Sequence, residues 1–236
     1  MRYEISQQQL NFFSRHGYIE FENLVPREEA RRLSQAIDQT LEKRTKGTLE
    51  NKTPLALYTH GRDLFRDSPF IHTFATKRNL STIASQLIQK NSIRLAFDQA
   101  LRTKEKDLTS EEIFPHLFAG KTRLDQISCF QGLYLGLIIN LNLDNKDIEE
   151  DIQIEGIDQL IPYPRRLGQC LFIRRDTPIH LEPLFQRANR SFYLIGYAQA
   201  KTQFVLNEND LNTQLLKQLG YAFGDHLKDE FHPIVY

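Results

Sequence analysis

The sequence predicts a single α+β domain in which N-terminal helices buttress a β-sandwich or barrel. Three observations lead there. Helical periodicity dominates the first ninety or so residues, and an apolar alternation of period two takes over from Ser92. No repeat, low-complexity tract or linker rich in Pro, Gly or Ser divides the 236 residues, so one domain over 1–236 is expected.

Each element has its own local reason. Ser6 can cap a short helix with Leu10 and Phe13 on one face, and Gly17 suits its stop. The run Tyr18-Ile19-Glu20-Phe21-Glu22 alternates like a strand with one wet face. Pro26 fits the first turn of a long helix carrying Ala30, Leu33, Ile37 and Leu41 on one stripe and ending by Gly47. Residues 48–68 read as a loop with a short helix near Arg62–Phe65, and further helical segments follow around Phe70–Thr76 and Leu80–Gln89.

From Ser92, strict alternation places Arg94, Ala96, Asp98 and Ala100 on one strand face. Thr109 and Glu112 stand at capping-box spacing before Ile113, Phe114 and Phe118. Strands are then expected at Leu124–Gln131, Leu133–Leu143, Gln169–Arg174 and Ser191–Ala198. The acidic stretch Asp144–Asp151 lacks the glycine and alternating oxygens of a calcium loop and reads as a solvated loop. Leu211, Leu215, Leu216 and Leu219 mark a last helix that Gly220 should close.

Composition excludes several function classes. Lys+Arg and Asp+Glu are both 30, so no global field favours nucleic acid or anionic lipid. Cys129 and Cys170 are too few for a disulfide framework or a structural zinc site and read as reduced buried thiols. No apolar stretch follows Met1-Arg2-Tyr3-Glu4, and the longest one, Leu133–Ile139, falls far short of the ~20 residues that span a bilayer. A soluble, cytoplasmic protein with no membrane span is expected. Arg165, Arg166, Arg174, Arg175, Arg187 and Arg190 suggest a locally positive rim suited to an anionic small molecule, or a solvated rim on alternating faces.

Two stretches carry a family resemblance. One is Leu10-Asn11-Phe12-Phe13-Ser14-Arg15-His16-Gly17-Tyr18-Ile19, continuing through Phe21, Leu24 and the helix after Pro26. The other is Gly168-Gln169-Cys170-Leu171-Phe172, then His180, then Asn189-Arg190-Ser191 leading to Tyr197. In order and spacing they resemble the opening and closing segments of the phytanoyl-CoA dioxygenase family. The resemblance implies a double-stranded β-helix (jelly-roll, cupin-like) core, Fe(II) and 2-oxoglutarate as cofactors, and hydroxylation of a small molecule.

It also implies a ligand set. A non-haem iron oxygenase needs two imidazoles and a carboxylate on one face of the metal, with positions left for the 2-oxo acid and dioxygen. Carried over by position, Asp98 is the metal carboxylate, His180 the distal metal histidine and Arg190 the 2-oxoglutarate arginine. The first histidine of the His-x-Asp pair falls on Ala96. Three explanations stay open. The iron site is lost and the fold is a non-catalytic small-molecule or protein-binding module; or another side chain, His60 or His72, completes the site; or the register differs, with His180-Leu181-Glu182 and His226 or His232 as the set. Without the resemblance, Asp98 reads as a buried carboxylate paired with Arg94.

Overall fold

The computed structural model describes residues 4–103, 121–143, 161, 163–181 and 189–236. The Thr109/Glu112 capping box, the acidic stretch 144–151, Glu182 and Arg187 lie outside the described residues.

Helix α1 (Gln7–His16) begins with a reciprocal capping box: Ser6 Oγ accepts from Gln9 N–H at 3.2 Å, and Gln9 Oε1 accepts from Ser6 N–H at 2.9 Å. Gly17 ends it in the left-handed region at φ 77°, donating its amide to the Phe13 carbonyl. Strand β1 (Tyr18–Phe21) follows at once. Pro26 sits one position before α2 (Arg27–Thr45) rather than inside its first turn. Glu28 and Glu29 at the start of that helix, and Lys43 and Arg44 at its end, complement its dipole.

Three shorter helices come next: α3 (Pro54–His60), α4 (Pro69–Ala75) and α5 (Arg78–Ile88). Thr53 and Ser68 cap α3 and α4, each immediately before a proline at the first helical position. Between α3 and α4 lies a single 3-10 turn, Leu64–Arg66.

Among the described residues the strands form one antiparallel sheet in the order β1-β4-β3-β5-β2, with β2 Ile93–Arg102, β3 Phe130–Asn140, β4 Cys170–Arg174 and β5 Ser191–Phe204. Leu124–Cys129 is not a strand, contrary to expectation. Its residues Leu124, Ile127 and Cys129 instead fold over the sheet as buried packing. The last predicted helix is a 3-10 turn, Leu215–Leu219, closed by Gly220 at φ 79°. Both cysteines are buried free thiols, as expected.

Both sheet faces are covered. One face, through Leu95, Leu135, Leu137, Tyr193, Ile195 and Tyr197, packs on Leu33, Ile37, Phe74 and Ile83 of the helices. The other, through Phe97, Leu101, Leu133, Ile138, Leu171 and Leu194, packs on Ile127, Ile179, Leu181, Leu216 and Leu227. Outside the sheet Thr122 bridges to Ile179, and Gln203 near the end of β5 bridges to His226. Gly168, leading into β4, has φ 82°, and a Cβ there would lie 2.3 Å from the Val25 carbonyl, so only glycine lets the segment before α2 close on the sheet.

Residues 227–235 strap the edge strand β2. Arg94 donates to the carbonyls of Ala200 (2.9 Å), Leu227 (3.0 Å) and His232 (2.9 Å), and pairs with Asp229 at 2.9 Å. Leu95 N–H reaches the Pro233 carbonyl at 3.0 Å, and Val235 N–H the Ile93 carbonyl at 2.9 Å. No helix among the described residues is long and apolar enough to cross a membrane.

Candidate functional site

The expected shared face of Ala96 and Asp98 does not form, because β2 carries a bulge between Leu95 and Phe97. Leu95 pairs with Tyr197 and Phe97 with Gly196, so two steps on β2 oppose one on β5. Before the bulge, Arg94 shares a register position with Ala198, which packs on the second face. After it, Asp98 stands opposite Ile195, which packs on the helices. Ala96 packs on the second face with Phe97, whereas Asp98 points into the helical layer. One inserted residue has turned the carboxylate to the other side of the sheet.

Asp98 is fully buried, and both of its oxygens are engaged. Leu64 N–H donates to Oδ1 at 2.7 Å and Phe65 N–H to Oδ2 at 2.9 Å, so the carboxylate caps the 3-10 turn; the Tyr193 hydroxyl also donates to Oδ2. Burial, reinforced by the charge of Asp63, pushes the Asp98 carboxyl up to about 7 against the pull of these three donors. Its expected partner Arg94 lies before the bulge and is bound to Asp229 and three carbonyls instead.

The other predicted residues lie in separate surroundings. Half-buried His180 follows the bridge between Thr122 and Ile179, and the hydroxyl of the half-buried Tyr163 faces its backbone. Half-buried Arg190 precedes β5, where its amide donates to Thr103 Oγ1 at 3.0 Å and its carbonyl accepts from Thr103 N–H at 3.0 Å. His72 is exposed against the Phe65 ring, and His226 is exposed. Of the arginines expected in a positive rim, Arg165, Arg166 and Arg175 are exposed, while Arg174 pairs with Asp176 at 2.5 Å.

His232 is buried at the bulge itself. Its Nδ1 lies 2.8 Å from the Ala96 carbonyl and its Nε2 3.2 Å from Arg66 Nη2. These partners fix the neutral tautomer, with Nδ1–H donating to Ala96 and Nε2 accepting from Arg66. Burial, followed by the Arg66 charge, pushes the imidazole down to about 3, so it stays neutral.

An iron site needs donors that converge. Ala96 offers none, the Asp98 carboxylate is filled by protein donors on the far side of the sheet, and His232 is committed at both nitrogens. Among the described residues, no three of His, Cys, Asp or Glu are grouped to hold a metal. Among the described residues, the positions carried over by resemblance are not brought together as a metal-holding group.

A polar cluster that sequence reasoning did not assemble lies beside the bulge. Arg62, only 4% exposed, pairs through Nη2 with Asp210 at 3.2 Å, and its guanidinium carbon lies 4.2 Å from the centre of the Phe97 ring. Burial works to lower the Arg62 pKa, yet Asp210, then Tyr58 and Asp63, hold it above its ordinary value. Asp210 also accepts from Cys129 N–H at 3.0 Å and Asn212 N–H at 2.9 Å. Next to Arg62 opens a cavity of about 300 Å³ lined by Arg44, His60, Arg62, Asp63, Arg66 and the turn Leu215–Leu219. Arg62 and Asp210 are 148 residues apart, so no local motif could announce them.

Solved structures place the fold. The chain is similar to the non-haem α-ketoglutarate-dependent carbocyclase SnoK of nogalamycin biosynthesis, with a TM-score of 0.66 and 14% identity, over 98% of this chain and 97% of that one. It is similar to the non-haem α-ketoglutarate-dependent epimerase SnoN of the same biosynthesis at 0.65 and 14%, over 98% and 95%. HygX from Streptomyces hygroscopicus, solved with nickel and 2-oxoglutarate bound, aligns at 0.56 and 14%, over 96% and 99%. No family model and no curated protein sequence matches the chain. The chain therefore has the fold of the iron/2-oxoglutarate oxygenases, at an identity that speaks for fold alone.

Proposed function

We propose that this chain is a non-catalytic binding protein built on the double-stranded β-helix of the phytanoyl-CoA dioxygenase type, a degenerate relative of the iron/2-oxoglutarate oxygenases. The observation that carries this reading is the bulge at Leu95/Phe97, which separates residue 96 from Asp98 across the sheet. Asp98 then serves as a structural acceptor for Leu64, Phe65 and Tyr193. An oxygenase needs its ligands preorganised within about 0.5 Å, and a carboxylate already holding three donors would have to abandon them to bind iron. The ligand of such a module is a small molecule, with an anion favoured by the arginines around the cavity.

Anaerobic titration of the purified chain with Fe(II) and 2-oxoglutarate tests this. No stoichiometric iron and no succinate on admission of oxygen are expected; bound iron with turnover would overturn the reading. The variant Ala96→His is equally informative. Its imidazole would enter the packed face beside Phe97, opposite to Asp98, so it should not create an iron site. Iron uptake by Ala96→His that is lost again with Asp98→Asn, in protein that remains folded, would restore the oxygenase register and sink the proposal.

A further inference from the structure

Residues 227–235 are held to β2 through the backbone, in bonds that lie outside the sheet's own ladder. Leu95 N–H donates to the Pro233 carbonyl and Ile93 N–H to the Tyr236 carbonyl, each at 3.0 Å, while the Ile93 carbonyl accepts from Val235 N–H at 2.9 Å. On its other side β2 pairs with β5 from Ile93 to Arg102, and no residue of the strap takes part in that pairing. Lys228, Asp229, Glu230 and Ile234 are exposed. The strap can therefore leave β2 without breaking the sheet, as local opening requires.

Fully buried His232 fastens it from within. Its Nδ1 lies 2.8 Å from the Ala96 carbonyl, and its Nε2 3.2 Å from Arg66 Nη2. A carbonyl only accepts and a guanidinium only donates, so both roles of the imidazole are dictated by its partners. Nδ1 carries the proton and Nε2 offers its lone pair. A second proton has only Nε2 to go to, where it would meet an N–H of a buried cation.

Nothing nearby compensates. Among the described residues, the charged and titratable groups around the ring are Arg66 from the 3-10 turn, Arg94 from β2 and Tyr221, whose ring centre lies 5.8 Å away. Arg66 is paired with Asp63 and Arg94 with Asp229, and the Tyr221 hydroxyl accepts from Lys228 N–H at 2.8 Å. The remaining wall is the Phe130 ring, also 5.8 Å away.

We propose that His232 makes the strap an acid-released cover of the sheet edge: a proton at Nε2 cannot be kept beside Arg66, so the imidazole leaves its place and residues 227–235 open from β2 while the sheet stays paired. The sign follows from linkage. The imidazole is depressed to about 3 in the closed strap against 6.5 when free, so closure is fully supported above about 6.5 and weakens as pH falls. One proton taken up on opening shifts the equilibrium about tenfold toward the open form per pH unit below that value. Opening uncovers the amides of Ile93 and Leu95 and the carbonyl of Ile93, the groups by which a strand edge takes up an extended peptide.

Hydrogen exchange on the whole chain between pH 4.5 and 7 tests this, each rate being divided by its unstructured-peptide value. The Ile93, Leu95 and Val235 amides report the strap, and those inside β3 and β5 report the sheet. Strap protection is expected to fall about tenfold per unit below about pH 6, and sheet protection to stay at least about a hundredfold higher throughout. Equal protection of the two sets would mean that the strap opens only with the whole domain, and strap protection independent of pH would mean that no proton is taken up; either overturns the proposal. The His232 ring, followed by NMR, should remain neutral at pH 5 while the strap is closed. An imidazole that titrates near 6 with the strap amides still protected also overturns it. His232→Gln, which cannot titrate, should abolish the pH slope whatever it does to the strap at pH 7, and an unchanged slope in the folded variant assigns the proton elsewhere and refutes the role of His232. None of these outcomes depends on iron or on a ligand, so they are distinguishable from the failure of the non-catalytic reading.

Discussion

Asp98→Ala is expected to lower the folding stability by about 3–5 kcal/mol, measured as a shift of the urea midpoint at constant m-value. The change strands the Leu64 and Phe65 amides and the Tyr193 hydroxyl inside the helix–sheet interface, where no water replaces the lost acceptor. Stability for a domain of this kind is itself only about 5–15 kcal/mol, so the variant should stand near the limit of folding. A loss below about 1 kcal/mol would show that Asp98 is not the structural acceptor described here. The same residue gives the wild type a pH dependence. Its folded-state value of about 7 lies above the ordinary 3.8, so between these values the unfolded chain has released a proton that the folded one keeps. The Asp98 contribution therefore declines as pH rises from about 4 to about 7 and is level above that. Asp98→Asn should remove this decline from the pH profile of the urea midpoint.

The second large effect is expected for Arg62→Met. Methionine keeps much of the side-chain volume but leaves the Asp210 carboxylate, 1% exposed, without its cation. Breaking one side of a buried pair costs about 3–5 kcal/mol, because the remaining charge has nowhere to go. The amides of Cys129 and Asn212 still reach Asp210, which places the loss toward the lower end. Adding Asp210→Asn to Arg62→Met should recover at least about 1 kcal/mol, since the stranded charge is then gone. Strictly additive losses in the double-mutant cycle would mean that the two groups do not act as a pair.

The helical half of this chain was legible because its signals are local. Ser6, Gln9 and Gly17 define α1 within a dozen residues, and the apolar stripe Ala30–Leu33–Ile37–Leu41 faces the sheet as periodicity requires. Strands β2, β4 and β5 were found from alternation, but a bulge leaves no trace in alternation. Ile93 to Asp98 looks regular whether or not an extra residue is accommodated, and only pairing with Tyr197 and Gly196 reveals the shift. That single ambiguity put Asp98 and Ala96 on opposite faces of the sheet rather than on one. The cluster of Arg62, Asp210 and His232 was unreadable for another reason: its members meet across long sequence separations and each looks ordinary in its own neighbourhood. The likeness to the oxygenase fold came through the segments around Gly17 and Gly168 together with His180 and Arg190, and the two glycines in it serve architecture rather than chemistry.

The strap over β2 has a consequence for how the chain comes to be folded in a cell. The Arg94 guanidinium takes its acceptors from Ala200, Leu227, Asp229 and His232, and His232 in turn grips the bulge through Ala96. A nascent chain that has just finished β2 has made none of these residues. During translation the arginine must stay hydrated and the bulge unclasped until more than a hundred further residues have emerged, so this edge closes late. Until then the edge strand is open to chaperones and to pairing with other chains.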